Sequence, residues 1–214
     1  MTLISFNING IRARLHQLQA VIDKYQPAMI GLQETKVHDP EFPEQAVRDM
    51  GYHPYYFGQK GHYGVALITH EPLESVQYGF PTDAEDAQRR MIIGTLRHTD
   101  GSAITVLNGY FPQGENREHP LKFPAKEKFY QDLQSYLDNH QQPDQQVAVM
   151  GDFNISSTDL DIGERALIAT GTLGSFRCAY GMREIGEDGS IAIDGSCAAT
   201  LEVGEGDEVW SVAR

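Results

Sequence analysis

Short apolar segments that read as β-strands alternate with amphipathic helical segments along the first 150 residues. Residues 2–6, 28–32 and 147–150 are strand-like, and apolar side chains recur at helical spacing across residues 15–25. This mixed order favours a layered α/β or α+β domain, and 214 residues are enough for one domain with a substantial core. The pattern also predicts a short helix over residues 43–50, a hairpin over 92–107 that turns at Asp100-Gly101, and an amphipathic helix near 129–137.

Polar residues that can bind a metal or a phosphate follow several of these strands. Asn7 follows the first strand, Glu34 the second, Tyr110 the hairpin, and Asp152 with Asn154 the last. Strand ends in layered α/β proteins commonly open on the active cleft, and residues two apart in an extended chain point to one face. Carboxylates and carboxamides without Cys or His suit a hard cation such as Mg²⁺. Taken alone, these residues equally allow ordinary structural roles. Glu34 can be a solvated residue at a strand end and Asn7 part of a turn, while Asp152 can cap a loop and Tyr110 can belong to the core.

The charge of the chain leaves the class of partner open. A formal net charge of −13 argues against nucleic acid, yet basic residues are concentrated near turns and motifs, including Arg12, Arg89 and Arg90. No apolar run is long enough to span a bilayer, and the first residues lack signal-peptide features, so we expect a cytoplasmic protein without a membrane partner. Cys178 and Cys197 lie in no metal-ligand or redox spacing, which favours reduced structural thiols.

Five motifs occur in order along the first 164 residues. They are Ser5-Phe6-Asn7-Ile8-Asn9-Gly10-Ile11-Arg12-Ala13-Arg14, Gly31-Leu32-Gln33-Glu34-Thr35-Lys36, Gly61-His62-Tyr63-Gly64-Val65-Ala66, Asn108-Gly109-Tyr110-Phe111-Pro112-Gln113-Gly114 and Gly151-Asp152-Phe153-Asn154-Ile155. Together they closely resemble the bacterial exonuclease III family of the endonuclease/exonuclease/phosphatase superfamily. The resemblance covers about residues 1–164, which we interpret as the nuclease domain.

The resemblance implies a four-layered α/β sandwich with two packed β-sheets. It implies hydrolysis of phosphodiesters in duplex DNA at abasic sites and 3′ ends, with Mg²⁺ as cofactor and Mn²⁺ as an alternative. Carried over by residue, it places Asn7, Glu34, Asp152 and Asn154 at the metal site. It brings Tyr110 to the scissile phosphate, while Asp152 helps to activate or orient the attacking water and Asn154 positions the phosphate or the metal.

The same resemblance assigns DNA contacts to Arg12, Arg89, Arg90 and the loop that begins at Gln113. These residues would supply a local basic surface that the net charge obscures. The partner expected from the resemblance is duplex DNA with abasic sites or 3′ ends, and the expected oligomeric state is a monomer.

The sequence departs from the family pattern after residue 164. The sequence lacks the Arg-Ile-Asp-hydrophobic strand and the closing Ser-Asp-His motif of the family. Ile193-Asp194 resembles part of the first motif, but the hydrophobic strand that should follow is missing. All eight histidines lie at or before His140, so realignment does not supply the missing one. We therefore expect a C-terminally incomplete sandwich, followed over residues 165–214 by an unrelated or divergent tail.

Two segments of this tail, Leu173-Gly174-Ser175-Phe176-Arg177-Cys178 and residues 201–209, resemble the C-terminal end of bacterial arginine N-succinyltransferase. A fusion of two truncated reading frames, a frameshift and a divergent ending all remain open as origins. Residues 203–210 predict a turn that leads into a short strand. We assign the tail no activity of its own.

Two function hypotheses follow from these observations. The first is a Mg²⁺-dependent exodeoxyribonuclease and abasic-site endonuclease of the exonuclease III type. The second is a catalytically inactive, truncated or fused remnant that at most binds DNA or metal weakly. A third reading, with a phospholipid or inositol phosphate as substrate, fits poorly because the Gly109-Tyr110-Phe111-Pro112-Gln113-Gly114 motif and the pair Arg89-Arg90 resemble the DNA-repair branch.

Overall fold

Residues 1–97, 100–115, 117–155, 164–170, 177–186 and 189–213 are described by the computed structural model. The chain divides into two units, Met1–Asn154 and Ile155–Arg214. The predicted end of the nuclease domain near residue 164 marks where the resemblance to the family stops. The division into units does not test it, and it stays a prediction. Within the described residues, no helix has the length and apolar character needed to cross a bilayer.

The first sheet of the N-terminal unit has four strands. They are β1 (Leu3–Asn7), β2 (Met29–Gln33), β3 (His53–Phe57) and β4 (Val65–Thr69). Their order across the sheet is β1-β2-β4-β3, with β1 parallel to β2 and the other pairs antiparallel. Two helices, α1 (Leu15–Tyr25) and α2 (Glu44–Asp49), connect these strands in sequence. The predicted helix over residues 43–50 is confirmed.

The second sheet also has four strands. They are β5 (Ser75–Tyr78), β6 (Met91–Arg97), β7 (Ala103–Tyr110) and β8 (Gln146–Asp152), in that order across the sheet. Strands β6 and β7 form the predicted hairpin, and helix α3 (Lys122–His140) returns the chain so that β8 runs parallel to β7. Among the described residues, β8 pairs only with β7 and β1 only with β2, so each is an edge strand.

Successive residues of the inner strands face opposite apolar layers, as the alternation of side chains along a strand requires. In β2, Met29 packs between the two sheets while its neighbour Ile30 packs against the helix side of the first sheet. In β7, Val106 faces the first sheet while Leu107 packs with Leu133 of α3. The N-terminal unit therefore has four layers, which are α1 with α2, the first sheet, the second sheet and α3. This arrangement confirms the predicted four-layered α/β sandwich.

The C-terminal unit contains an antiparallel sheet of its own. Its elements are β9 (Glu164–Thr170), β10 (Arg177–Ile185), β11 (Ile191–Ile193), α4 (Gly195–Leu201) and β12 (Trp210–Ala213), with the strand order β11-β10-β9-β12. The predicted short strand after residues 203–209 is confirmed as β12. Asp194 caps α4 by accepting a hydrogen bond from the Cys197 N–H, and the cysteine side chain is buried beside Ile168 and Leu201.

Candidate metal and phosphate site

Four strand ends bring polar side chains together in the N-terminal unit. Strands β1 and β2 are parallel with Asn7 opposite Gln33, so Asn7 and Glu34 leave the first sheet at the same end. Strands β7 and β8 are parallel with Tyr110 opposite Asp152, so these two residues leave the second sheet together. Because the carboxyl ends of parallel strands open on one side of a sheet, each sheet contributes polar residues to the same cleft.

The Asn7 carboxamide joins the two carboxylates of this site. Its Nδ2 donates to Glu34 Oε1 at 3.0 Å and to Asp152 Oδ2 at 2.9 Å. Its Oδ1 accepts a hydrogen bond from the Asn9 N–H at 3.1 Å, which fixes the orientation of the amide. Asn7, Glu34 and Asp152 are therefore neighbours, as the polar strand ends predict.

The backbone around Glu34 is held in an uncommon conformation. Glu34 and Lys36 both have a left-handed backbone with φ of 53°, a region that residues other than glycine seldom occupy. The Gly10 N–H donates to the Glu34 carbonyl at 2.7 Å, and the Lys36 N–H donates to the Tyr63 carbonyl at 3.0 Å. Hydrogen bonds with two other loops thus stabilise a strained segment, as is frequent where a side chain is held in place at a functional site.

Glu34 is held in its ionised form by its neighbours. Partial burial raises the pKa of this carboxyl, but hydrogen bonds from Asn7, Lys36 and Tyr110 outweigh burial and bring the pKa below its ordinary value of 4.5. The Lys36 ammonium lies 2.6 Å from Glu34 Oε2. Glu34 is therefore a carboxylate at neutral pH and can serve as an anionic ligand.

Tyr110 keeps its phenolic proton and stacks with a guanidinium group. Burial, followed by the hydrogen bond to Glu34, raises the pKa of Tyr110 to about 12. The guanidinium of Arg90 lies 4.8 Å from the centre of the Tyr110 ring and 4.1 Å from that of Tyr63, and it donates to the Tyr110 carbonyl at 3.0 Å. The two rings and the carbonyl hold one positive charge beside a phenol that can donate a hydrogen bond to a phosphate oxygen.

Asn154 occupies a turn rather than an extended strand. Strand β8 ends at Asp152, and Asn154 has a left-handed backbone with φ of 48°. The prediction that an extended chain aims both side chains to one face is therefore wrong. The Asn154 carboxamide instead donates to the Phe111 carbonyl at 2.8 Å, and its backbone N–H donates to Asp152 Oδ1 at 3.2 Å. Its assigned role at the phosphate or metal stays a prediction.

The four residues assigned to DNA differ in their surroundings. Arg90 lies at the site, whereas Arg89 pairs with Asp39 at 2.5 Å and donates to the Gly58 carbonyl at 2.8 Å. Arg12 is exposed and pairs with Glu41 at 2.7 Å. The Gln113 side chain is exposed in the loop after β7. In this state Arg12 and Arg89 are neutralised by carboxylates, so their assigned contacts with DNA stay predictions.

Sequence reasoning missed three residues that shape the site. Lys36 pairs with Glu34, Tyr63 stacks with Arg90, and Lys126 donates to the Asn154 carbonyl at 2.6 Å. Lys36 and Tyr63 belong to the recognised motifs, so the motifs themselves carried a signal for them. Lys126 lies on α3 in an ordinary polar position, and its contact is visible only in three dimensions.

The donor set of this site fits a divalent cation that prefers oxygen. The described residues contain no group of three or more His, Cys, Asp and Glu side chains placed to hold a metal. Glu34 and Asp152 supply two carboxylates around one carboxamide, and Mg²⁺ typically binds through one or two carboxylates while it keeps several waters. The site therefore suits a hydrated hard cation better than zinc, which favours nitrogen and sulfur ligands.

Comparisons with known proteins agree with this geometry. Residues 4–180 match the Endonuclease/Exonuclease/phosphatase family. The chain is 58% identical over 163 residues to exodeoxyribonuclease III of Haemophilus influenzae, an alignment that covers 76% of this chain and 61% of that protein. The fold resembles a variant of the 3′ phosphatase NExo from Neisseria bound to product DNA hairpin, with a TM-score of 0.67, 32% identity, and coverage of 74% of this chain and 60% of that chain.

A further solved structure, an AP endonuclease from Archaeoglobus fulgidus, has a TM-score of 0.66 and 32% identity, and the match covers 74% of this chain and 59% of that one. The chain thus spans about three fifths of the length of these relatives. The family match covers most of the sequence, including the residues around Asn7, Glu34, Tyr110 and Asp152. The chain therefore belongs to the endonuclease/exonuclease/phosphatase family.

Proposed function

We propose that this chain is a DNA-repair nuclease of the exonuclease III type. It hydrolyses phosphodiesters of duplex DNA at abasic sites and 3′ ends, with Mg²⁺ as cofactor and Mn²⁺ as an alternative, as a cytoplasmic monomer. The observation that carries the proposal is the Asn7 carboxamide between the carboxylates of Glu34 and Asp152. The similarity to the Haemophilus influenzae exodeoxyribonuclease III and to the DNA-bound Neisseria phosphatase supports DNA as the substrate.

Glu34 and Asp152 would hold the cation, Asn7 would orient both carboxylates and add its Oδ1 as a neutral ligand, and Asn154 is a further candidate ligand. When bound, the ion neutralises phosphate charge and stabilises the negative charge that develops on the leaving oxygen. In hydrolysis the water oxygen bonds to phosphorus, the ester P–O bond breaks, and the leaving alkoxide takes up a proton from solvent. Asp152 orients the water and accepts a proton from it, since its carboxylate is fixed by Asn7.

Tyr110 and Arg90 bind the phosphate in this proposal. The Tyr110 phenol stays protonated up to high pH because its pKa is raised to about 12, so its one O–H turns from Glu34 to a phosphate oxygen when DNA binds. Arg90 supplies a fixed positive charge next to it. Fixed donors and charges of this kind stabilise a transition state without reorganising during the reaction. They also explain how a chain with a net charge of −13 binds DNA at one local surface.

The second candidate is a protein of the same family without catalytic activity. One observation favours it: among the described residues, no histidine hydrogen-bonds to Asn7, Glu34 or Asp152, and all eight histidines precede residue 141. General acid–base groups typically contribute about 10²–10⁴-fold to a rate, so their absence decides whether cleavage is measurable.

The test is Mg²⁺-dependent cleavage of a duplex oligonucleotide with one abasic site. Asp152→Ala and an EDTA sample are the negative controls, and Asp138→Ala, which removes an exposed carboxylate of α3, is the matched control. Cleavage by the wild type and Asp138→Ala that disappears with EDTA and in Asp152→Ala supports the nuclease. If a folded wild-type protein shows no cleavage, the inactive family member is the correct description.

A further inference from the structure

Two side chains of α3 contact the outer side of the turn that follows β8. The Lys126 ammonium donates to the Asn154 carbonyl at 2.6 Å, and the Tyr130 hydroxyl donates to the Phe153 carbonyl at 2.9 Å. Residues four apart on a helix lie on the same face, so Lys126 and Tyr130 reach consecutive carbonyls of the turn from one direction. Both lie outside the motifs on which the assignment of the site depends.

The inner side of this turn carries the Asp152 carboxylate. The Phe111 N–H donates to the Asp152 carbonyl at 2.9 Å, and the Asn154 carboxamide donates back to the Phe111 carbonyl at 2.8 Å. The rings of Phe111 and Phe153 stack with their centres 4.4 Å apart. The turn is therefore attached to Phe111 at the end of β7 through Asp152 and Asn154, and to α3 through the two carbonyls that follow Asp152.

Lys126 also touches the loop assigned to DNA. Its ammonium lies 3.5 Å from the Gln113 carbonyl. Gly114 has φ of 78°, and a Cβ at this position would lie 2.8 Å from the Lys126 Cδ, so a glycine lets the aliphatic stem pass. One ammonium group thus connects the Gln113 loop to the turn that bears Asp152.

We propose that Lys126 and Tyr130 are positioning residues that hold the Asp152 carboxylate against Asn7. Their consequence for catalysis rests on the proposed function, whereas their effect on the turn does not. Asparagine tolerates the left-handed backbone of Asn154, and the two donors from α3 fix the direction of the carbonyls on either side of that residue's N–H. Without the two donors, the Phe153 and Asn154 carbonyls turn to water and Asp152 samples positions away from Asn7.

The experiment compares amide hydrogen exchange in variants that remove each donor with little change in size. Lys126→Met and Tyr130→Phe remove the hydrogen bonds, and Lys126→Arg is the conservative rescue. Lys128→Met is the matched control, because Lys128 is an exposed residue of the same helix that pairs with Asp132 instead. A hydrogen bond that involves a charged group is typically worth about tenfold or more in an opening equilibrium.

We expect the Phe111 and Asn154 amides to exchange ~10-fold faster in Lys126→Met, with smaller acceleration in Tyr130→Phe and near-wild-type rates in Lys126→Arg. Binding of Mn²⁺, measured by electron paramagnetic resonance, should weaken in the same order. The thermal midpoint should match that of Lys128→Met. Where cleavage is measurable, kcat should fall while KM for the oligonucleotide is retained.

Unchanged exchange at Phe111 and Asn154 in both donor variants would overturn the proposal. So would exchange that rises uniformly across β6, β7 and β8, since that pattern indicates a general loss of stability rather than release of one turn. Neither result depends on cleavage. A wild-type protein that fails to cleave DNA therefore contradicts the proposed function and leaves the positioning of Asp152 to be decided by exchange and Mn²⁺ binding.

Discussion

The Asn7 carboxamide nitrogen lies 2.9 Å from an oxygen of Asp152, a residue 145 positions further along the chain. The same nitrogen also donates to Glu34, so one amide separates two carboxylates that would otherwise repel each other. The two sheets contribute one carboxylate each. Their packing is therefore what creates a site of two negative charges around a neutral donor.

Replacing this amide should weaken the metal site more than the fold. We expect Asn7→Ala to bind Mn²⁺ ~10-fold more weakly, because groups that orient metal ligands typically contribute about 10–100-fold to affinity. Isothermal titration calorimetry measures the change. Asn139→Ala, which removes an exposed amide of α3, is the control. Equal Mn²⁺ affinity in the two variants would contradict the bridging role of Asn7.

The pKa of Glu34 predicts how stability depends on acid in the metal-free protein. Although burial raises it, hydrogen bonds from Asn7, Lys36 and Tyr110 hold the folded-state pKa below its ordinary value of 4.5. A group with a lowered pKa stabilises the fold above its unfolded pKa, and this contribution is lost as pH falls through the folded pKa. The difference in unfolding free energy between wild type and Glu34→Gln should therefore shrink below pH 4.5.

Urea unfolding in EDTA at several pH values measures this difference. Glu127→Gln, at an exposed position of α3, controls for loss of a carboxylate as such. A difference that grows as the pH falls would show that the pKa of Glu34 is raised rather than lowered.

Arg90 should not be replaceable by lysine. Its guanidinium stacks on Tyr63 and Tyr110 and donates to a backbone carbonyl, and an ammonium cannot reproduce this planar arrangement. We expect Arg90→Lys to lose about 1–2 kcal/mol of unfolding free energy. Arg97→Lys, at an exposed ion pair with Glu74, should change it by less than about 0.5 kcal/mol. Urea unfolding of the two variants measures both losses, and equal losses would contradict the stacking argument.

The Tyr110 hydroxyl offers a test of the phosphate contact. Under the proposed function, Tyr110→Phe should lower kcat about 10²-fold, because one fixed donor to a developing charge is commonly worth that much. Tyr25→Phe, at an exposed tyrosine of α1, is the control for loss of a hydroxyl. Single-turnover cleavage of the abasic oligonucleotide measures both. Equal rates for Tyr110→Phe and wild type would remove Tyr110 from the phosphate.

Two glycines of one loop should respond differently to alanine. Gly64 has φ of 85°, and a Cβ there would lie 2.2 Å from Thr35 Oγ1, beside Glu34. Gly61 has φ of 75° with no atom within 4 Å of such a Cβ. We expect Gly61→Ala to cost about 1–2 kcal/mol from backbone strain and Gly64→Ala about 2–5 kcal/mol, since overpacking adds to that strain. Urea unfolding compares them, and equal costs would exclude the steric term.

The polar residues at the strand ends could be predicted from the sequence because the apolar segments that form the strands are local patterns. Asn7, Glu34 and Asp152 each follow a short apolar segment, and parallel strands bring such ends to one side. The turn at Asn154 could not be predicted, because the residues of α3 and Phe111 that stabilise its left-handed backbone are distant in sequence. The pairing of Arg89 with Asp39, 50 residues apart, was hidden for the same reason.

In the C-terminal unit the short strand at Trp210 was predictable, whereas α4 was not. Residues 195–201 begin with Gly-Ser, and their helical repeat is the single pair Cys197 and Leu201. The signal for this helix is Asp194, whose carboxylate accepts hydrogen bonds from the Cys197 N–H and the Ser196 hydroxyl. An N-cap followed by seven residues is too weak a pattern to separate from a turn.

The assembly of the site from strand ends of both sheets ties its completion to the progress of synthesis. A chain emerging from the ribosome presents Asn7 and Glu34 early, but the second carboxylate arrives only when β8 has been made and has paired with β7. A product that stops between Arg90 and Asp152 carries the arginines assigned to DNA without the second carboxylate of the site. Under the proposed function, premature termination before Asp152 therefore yields fragments without the complete site for cleaving DNA.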